Sequence, residues 1–279
     1  MSASPEQYGV VGHPVGHSLS PFIHGLFARE TGRAITYRLF DVPPAEFRGW
    51  VRDFFARGGR GLNVTVPHKI AAVDVADELT SRAAHAASVN TLSRTAEEQI
   101  LGDNTDGAGL VRDLCGNLGL TLTKRRVLII GAGGATRGVL APLLALAPAA
   151  VVIANRTPER AAALAAAFAD LGSVSGVRFE DVGPDPFDLV INATSASLSG
   201  EIPPLPSSAL SPATVCYDLA YGRNATAFVQ WARACHCRQA LQGWGMLIEQ
   251  AAESFLVWHG IRPPTAGVLA ALRERGAMP

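Results

Sequence analysis

The sequence predicts an α/β chain with two domains, of which the second is doubly wound. Its 279 residues exceed the usual size of about 150 for one domain. Short apolar runs alternate with helical patterns through the N-terminal part. From Arg126 onward the apolar runs become continuous, which is typical of strands that helices cover on both faces of a parallel sheet.

The N-terminal domain is expected to cover residues 1–105. Its strands are predicted at residues 8–11, 36–41, 61–66, 89–93 and 99–102, and its helices at residues 21–33, 47–57 and 77–87. Pro67 is expected to begin a further short helix. Ser20 should cap the first helix, because it directly precedes Pro21 and proline is favoured at the first helical position.

The second domain is expected to cover residues 106–240 and to begin with a helix at 106–117. Strands are predicted at 127–130, 150–155, 188–193 and 214–219, alternating with helices at 134–147, 158–169 and 225–235. Residues 241–279 hold two further helices, at 246–259 and 265–275, and no predicted strand. We expect this segment to pack on the first domain, with a cleft between the two domains.

Composition and charge exclude several classes of function. The chain has 24 basic and 24 acidic residues, so neither nucleic acid nor a membrane surface is an expected partner. The opening residues contain no secretory signal, which predicts a cytoplasmic protein. Cys235-His236-Cys237 lacks a second ligand pair at metal spacing, so no metal site is expected. The sequence leaves the choice between monomer and homodimer open.

A glycine-rich turn follows the strand at 127–130. Gly131-Ala132-Gly133-Gly134-Ala135 opens the next helix, where glycines let the backbone approach a pyrophosphate and the helix N-terminus supplies free N–H groups. Thr136 stands where the dinucleotide-binding pattern has its third glycine. This context predicts a Rossmann-like domain that binds a dinucleotide; the alternative is an ordinary strand-to-helix turn.

The residues after the following strand favour NADP over NAD. NAD-binding domains usually carry an acidic residue there for the ribose hydroxyls, whereas this chain has Asn155-Arg156-Thr157. The Arg156 guanidinium suits a 2′-phosphate, and Arg160, one turn into the helix that Thr157 caps, is a second donor. The alternative is that both arginines are solvated surface charges.

Polar side chains recur in the N-terminal domain. Ser18 and Ser20 stand two residues apart beside a helix N-terminus, where they can hold a carboxylate or simply cap the helix. Asn63 and Thr65 share one face of a predicted strand, and Lys69 follows them. Because the chain has only two lysines, Lys69 is not explained by a general need for positive charge, and unlike arginine it can release a proton.

Together these motifs resemble the shikimate dehydrogenase family, with matches from Gly9 to about Gly260. The matching segments of the first domain are Gly12-His13-Pro14-Val15-Gly16-His17-Ser18-Leu19-Ser20-Pro21, Gly61-Leu62-Asn63-Val64-Thr65-Val66-Pro67-His68-Lys69, Val89-Asn90-Thr91-Leu92 and Gly102-Asp103-Asn104-Thr105-Asp106-Gly107. Those that follow are Gly131 to Ala135, Asn155-Arg156-Thr157, Asn192-Ala193-Thr194-Ser195 and Gly243-Trp244-Gly245-Met246-Leu247, with Gln250. The chain departs from the family pattern at Ser197, usually glycine, and at Gln242, commonly aspartate.

The resemblance implies an NADP-dependent enzyme that interconverts 3-dehydroshikimate and shikimate. Lys69 and Asp106 would be its catalytic pair, although Asp106 alone is also typical of a helix cap. The implied substrate ligands are Ser18, Ser20, Asn63, Thr65, Asn90, Asp106, Tyr221 and Gln250. The implied cofactor ligands are Gly131, Ala132, Gly133, Gly134, Ala135, Asn155, Arg156, Thr157, Arg160, Thr194, Ser195, Gly243 and Met246, the last against the nicotinamide.

In this interpretation Lys69 protonates the reacting oxygen and Asp106 orients the lysine and the substrate. Three alternatives differ in chemistry: a quinate/shikimate dehydrogenase that uses NAD, a methylenetetrahydrofolate dehydrogenase, and a non-catalytic sensor of shikimate-pathway acids. Arg156 without an acidic neighbour argues against the first, and the paired serines argue against the second. The presence of both Lys69 and Asp106 argues against the third.

Overall fold

The computed structural model describes residues 5–194, 196, 200–202 and 204–278. The chain forms two compact units: unit 1 contains Met1–Gly109 and Ile248–Val268, and unit 2 contains Leu110–Leu247 and Leu269–Pro279. The C-terminal segment that the sequence assigns to the first domain is thus divided between the units. Among the helices within the described ranges, none has the length and apolar character needed to cross a membrane.

The strands and helices follow one another in a regular order. The strands are β1 (Glu6–Gly12), β2 (Ile35–Asp41), β3 (Gly61–Val64), β4 (Glu78–Leu79), β5 (Thr91–Arg94), β6 (Ile100–Asp103), β7 (Arg126–Ile130), β8 (Ala150–Ala154), β9 (Val174–Val177), β10 (Leu189–Asn192), β11 (Val215–Asp218) and β12 (Gln239–Gln242). The helices are α1 (Ser20–Thr31), α2 (Phe47–Ala56), α3 (Ser81–Ala86), α4 (Asp106–Val111), α5 (Gly134–Leu144), α6 (Pro158–Ala167), α7 (Ala227–Ala234), α8 (Trp244–His259) and α9 (Ala266–Glu274). A π-helical segment, Arg112–Asn117, continues α4.

Unit 1 is built on a mixed sheet with the strand order β2-β1-β3-β5-β6-β4. Strand β1 is parallel to β2 and β3, while β5 is antiparallel to both β3 and β6. The ends of β1, β3 and β6 therefore lie at the same edge of the sheet as the start of β5. One side of the sheet buries apolar side chains such as Val11, Leu62 and Leu92 against Phe47 and Val51 of α2.

Unit 2 is a parallel sheet with the strand order β12-β11-β10-β7-β8-β9. This is the doubly wound order, so the predicted fold class is confirmed. Side chains of β7 alternate between two cores: Val127 and Ile129 belong to one, and Leu128 and Ile130 to the other. The order reverses between β7 and β10, and ligands of such sheets bind outside the carboxyl ends of the strands at this point.

Two strands of unit 2 have no counterpart in the sequence prediction. Strand β9 includes Gly176, whose missing side chain allows close contact with α6, since a Cβ there would lie 2.3 Å from the Ala161 carbonyl carbon. Strand β12 is at the edge of the sheet and none of its residues is buried. Neither strand has the continuous apolar run of a central strand, because neighbours cover an edge strand less completely.

Two local predictions in unit 1 are wrong. Ser20 lies inside α1, and Leu19 occupies the cap position without a side-chain hydrogen bond. The segment 77–87 is not one helix, because it contains β4 and α3 begins only at Ser81. Thr80 starts that helix by accepting a hydrogen bond from the Ala83 amide, as N-cap residues do.

Candidate active site

Strand polarity in unit 1 brings four loops to one edge of its sheet. The loops after β1, β3 and β6 and the loop before β5 meet there, and they carry Ser18, Lys69, Asp106 and Asn90 respectively. A site at this edge is assembled from residues far apart in sequence. The predicted substrate ligands and the predicted catalytic pair of unit 1 collect in this region.

Lys69 and Asp106 form an ion pair, with the lysine Nζ 2.5 Å from Oδ2 of the carboxylate. The lysine side chain is 18% exposed and that of Asp106 only 5%. The neighbouring His68 anchors the lysine backbone, since its buried ring donates from Nε2 to the Val42 carbonyl at 2.8 Å and stacks on Phe47. The amine is thus held against a buried carboxylate while it remains accessible to a ligand.

The side-chain amide of Asn90 has an orientation that its neighbours dictate. Its Oδ1 accepts from the Thr105 backbone N–H at 2.8 Å, a group that can only donate. The Nδ2 group must therefore point the other way, and it donates to Asp106 Oδ1 at 2.9 Å. Asp106 is consequently held on one oxygen by Asn90 and on the other by Lys69.

Gln250 reaches the same cluster from α8. Its Oε1 accepts from Asn90 Nδ2 at 3.3 Å, and its backbone carbonyl accepts from the Thr105 hydroxyl at 3.1 Å. The structure therefore brings together Lys69, Asn90, Asp106 and Gln250, as the sequence predicts.

Ser254 is a member of the cluster that the sequence analysis missed. Its hydroxyl accepts from Asn63 Nδ2 at 2.9 Å and lies 2.8 Å from Thr91 Oγ1 and 3.1 Å from Thr105 Oγ1. It occupies the position four residues after Gln250, and this spacing on one helical face is the signal that could have found it. The buried hydroxyls thus tie three elements of unit 1 together.

Asn63 is also oriented by its neighbours. The Asn90 backbone carbonyl can only accept, so Asn63 Nδ2 must face it, at 3.3 Å. The Asn63 Oδ1 atom then accepts from the Tyr37 hydroxyl at 2.7 Å. Tyr37 was not predicted as a site residue, because the alternating pattern of a strand does not show that one of its side chains reaches a polar residue on another strand.

Ser18 and Ser20 lie together, as their spacing predicts. The Ser18 hydroxyl donates to the Ser20 hydroxyl at 3.1 Å, and Ser20 is buried at the start of α1. Thr65, half-buried, sits over Gly12, where an added Cβ would come within 2.5 Å of its methyl group. The glycine is therefore required for the loops after β1 and β3 to approach each other.

The backbone of the glycine turn in unit 2 depends on its glycines. Gly131 has a φ of 101°, and a Cβ there would lie 2.9 Å from Thr194 Cγ2. Gly133 precedes α5 without a side-chain cap, and nothing lies within 4 Å of its would-be Cβ. Thr136 donates to the Gly131 carbonyl at 2.7 Å and thereby stabilises a turn without the third glycine.

The residues after β8 also fit the predicted cofactor. Asn155 donates from Nδ2 to the Thr157 carbonyl at 2.9 Å, which closes the turn before α6. Arg156 and Arg160 are both exposed beside this turn. Two arginines four residues apart, with no acidic residue among Asn155-Arg156-Thr157, suit a phosphate on the ribose.

The carboxyl ends of β10 and β11 are joined by a buried polar pair. Asn192 donates to Asp218 Oδ1 at 3.0 Å, and Thr226 donates to the other carboxylate oxygen at 2.6 Å. Thr194 is fixed by a 2.7 Å hydrogen bond from its hydroxyl to Asn192 Oδ1. Ser195, predicted to bind the cofactor, and Ser197 lie outside the described residues.

The segment before α8 is held by close backbone contacts. A Cβ on Gly243 would lie 2.6 Å from the Leu219 carbonyl oxygen. Met246 is buried, and its backbone N–H donates to the Tyr217 hydroxyl at 3.2 Å. Tyr217 in turn donates to Asp113 at 2.7 Å, a buried pair that the sequence analysis did not identify.

Gln242 and Tyr221 lie near this segment. Gln242 accepts a hydrogen bond from the Gly222 amide at 2.7 Å, so the side-chain oxygen supplies an acceptor at a position where aspartate is common in the family. The Tyr221 ring lies 4.9 Å from that of Trp244, and burial raises the pKa of its hydroxyl to about 12. The phenol therefore remains a hydrogen-bond donor at neutral pH.

Comparisons with known proteins agree along the chain. The family model for the shikimate dehydrogenase substrate binding domain matches residues 10–92, that for shikimate / quinate 5-dehydrogenase matches 114–231, and that for the shikimate 5'-dehydrogenase C-terminal domain matches 243–273. The shikimate dehydrogenase (NADP(+)) of Alkalilimnicola ehrlichii is 55% identical over 96% of this chain and 98% of its own.

Solved structures extend this similarity to the fold. The crystal structure of an Ael1 enzyme from Pseudomonas putida has a TM-score of 0.88 and 42% identity, covering 96% of this chain and 98% of that one. Shikimate 5-dehydrogenase from Thermus thermophilus, in complex with NADP(H) and shikimate, has a TM-score of 0.84 and 32% identity, covering 96% and 99%. The chain belongs to the shikimate dehydrogenase family.

Proposed function

We propose that this protein is an NADP-dependent shikimate dehydrogenase, which reversibly reduces 3-dehydroshikimate to shikimate in aromatic amino-acid biosynthesis. The observation that carries this proposal is the ion pair of Lys69 and Asp106, 2.5 Å apart, at the loop edge of a unit that matches the substrate binding domain of the family. The relatives named shikimate dehydrogenase (NADP(+)) match nearly the whole chain, which supports the same reaction and cofactor.

We assign the role of proton donor to Lys69. Bound NADPH supplies hydride to the substrate carbonyl carbon, and the oxygen then needs a proton. The lysine, as ammonium, stabilises the developing charge on that oxygen and gives up its proton to it. Asp106 orients the amine through one oxygen and is itself oriented by Asn90 through the other. In shikimate oxidation the uncharged amine takes the proton back.

The remaining substrate ligands divide by chemistry. Ser18 and Ser20 offer two hydroxyls beside the start of α1, which suits the carboxylate of shikimate. The ring hydroxyls are assigned to a set of neutral polar groups, namely Asn63, Thr65, Asn90, Tyr221 and Gln250, with Asp106. Neutral donors and acceptors bind hydroxyls without a full charge that would have to be desolvated.

The cofactor is assigned to unit 2. The glycine turn from Gly131 to Ala135 receives the pyrophosphate, and Arg156 and Arg160, with Asn155 and Thr157, receive the ribose phosphate. Thr194, Ser195, Gly243 and Met246 are assigned to the nicotinamide half. The four cysteines are free thiols, which agrees with a reducing compartment, and we place the reaction in the cytoplasm.

Initial rates decide the proposed function. NADPH formation is followed by absorbance with shikimate or quinate as substrate and NADP or NAD as cofactor, in all four combinations. We expect the highest kcat/KM for shikimate with NADP. A preference for quinate or for NAD would contradict the assignment, and tight binding of shikimate without turnover by any pair would instead indicate a sensor.

A further inference from the structure

A cluster of charged side chains in unit 1 lies beside the turn that carries Asp106. Arg82 of α3 donates from Nε to one oxygen of Asp103 and from Nη2 to the other, at 2.6 Å each. Its Nη1 donates to Glu253 Oε1 at 3.4 Å. The Asp103 side chain is 4% exposed and that of Arg82 33%. A two-pronged contact of this kind fixes both the distance and the angle between its partners.

Asp103 sets the conformation of the turn. Its Oδ1 accepts from the Asn104 backbone N–H at 2.7 Å and from the Thr80 hydroxyl at 2.6 Å. Asn104 Oδ1 in turn accepts from the Asp106 backbone N–H at 3.2 Å. Burial by itself raises the pKa of Asp103, but the hydrogen bonds from Arg82 and Thr80 outweigh it and hold that pKa below its usual range. The charged form of Asp103 thus organises the residues that lead to Asp106.

The other contact of Arg82 reaches helix α8. Glu253, which accepts from Arg82, lies three residues after Gln250 on that helix, and Arg262 donates to its second oxygen at 3.0 Å. Gln250 itself accepts from Asn90. Arg82 therefore contacts, through two different carboxylates, the two segments that deliver Asp106 and Gln250.

We infer that Arg82 is a positioning residue that holds the Asp106 turn and helix α8 in one fixed arrangement, so that Asp106 and Gln250 meet the same substrate. This inference rests on the proposed function, in which those two residues contact shikimate. Among the described residues, the side chain of Arg82 has hydrogen bonds only to the side chains of Asp103 and Glu253. A displacement of about 1 Å at a reacting group can cost about a hundredfold in rate, so losing the clamp should show in catalysis.

The test compares Arg82→Met with Arg82→Lys and with the control Arg57→Met. Arg57 pairs with Asp53 at an exposed position of the same unit, so its loss removes an arginine of the same charge without touching the site. We expect Arg82→Met to lower kcat/KM for shikimate by about ten- to a hundredfold. The Kd for NADP, measured by isothermal titration, should stay within about twofold, because the cofactor residues lie in unit 2. Arg82→Lys should recover only part of the loss, since an ammonium keeps the positive charge but lacks the planar two-pronged geometry of a guanidinium.

Arg82→Met leaves the buried Asp103 carboxylate without its cation, so it could fail to fold. The double variant Arg82→Met with Asp103→Asn removes both charges and keeps the shape, and it should fold with the same defect in kcat/KM. A folded variant with kcat/KM for shikimate within twofold of the parent, or one whose NADP affinity falls in parallel, would overturn the inference. Absence of shikimate turnover in the parent would refute the proposed function instead.

Discussion

Replacing Lys69 by alanine or by arginine tests its role as the proton donor. Its amine lies 2.5 Å from Asp106, on side chains that are 18% and 5% exposed, so the pair is largely but not fully buried. Lys69→Ala removes both the proton and the charge. Lys69→Arg keeps a positive charge beside Asp106, but a guanidinium with a pKa above about 12 cannot supply a proton.

We expect both variants to lower kcat by about 10² to 10⁴, the usual value of a general acid, which corresponds to about 3 to 5 kcal/mol in the barrier. The KM for shikimate should change little, because other residues hold the carboxylate and the ring. Lys69→Ala should also lower the free energy of unfolding by about 2 kcal/mol, which lies between the usual cost of breaking an exposed ion pair and that of breaking a buried one. Lys69→Arg should not lower it, because the positive charge beside Asp106 remains.

The assay is NADPH formation from shikimate under saturating cofactor, with urea unfolding of each variant to verify the fold. Lys124→Ala is the matched control, because it removes the only other lysine, which is exposed and belongs to unit 2. Either Lys69 variant turning over within tenfold of the parent would refute Lys69 as the proton donor.

Three further predictions address the cofactor turn, its specificity and a buried histidine. Arg156→Glu should raise the KM for NADP by at least about tenfold and leave the KM for NAD nearly unchanged, because a carboxylate repels the 2′-phosphate. Steady-state rates give both values, and an equal rise in the two KM values would contradict this prediction. Gly131→Ala should lower the free energy of unfolding by about 1 to 2 kcal/mol, because φ is 101° and the new Cβ would meet Thr194 at 2.9 Å. Gly133→Ala, with nothing within 4 Å, should cost less, namely only the loss of a better N-cap residue. Urea titration compares the two variants. Burial lowers the pKa of His24 to about 3. As the pH drops below about 6, the unfolded chain therefore takes up a proton on this histidine before the folded chain does. The free energy of unfolding then falls by about 1.4 kcal/mol per pH unit. Urea titrations at neutral and acidic pH should show a shallower dependence for His24→Phe, and identical slopes would disprove this.

Local sequence patterns were sufficient for much of unit 2. The continuous apolar strand before Gly131 and the glycine turn after it specify a strand, a tight turn and the start of a helix, because each depends on neighbours within a few residues. The doubly wound fold class then follows from the alternation of strands and helices. Edge strands such as β12 were missed because half-covered residues need not be apolar.

The set of motifs and its resemblance to a family also led the sequence analysis to predict Lys69, Asn90 and Asp106 in one site, although each motif alone has another interpretation. What only the tertiary structure decided is how those side chains are held: which way the Asn90 amide points, that Ser254 joins the cluster, and that Arg82 clamps Asp103. Each of these depends on a partner that is distant in sequence, and hydrogen bonds between such residues leave no periodic signal along the chain.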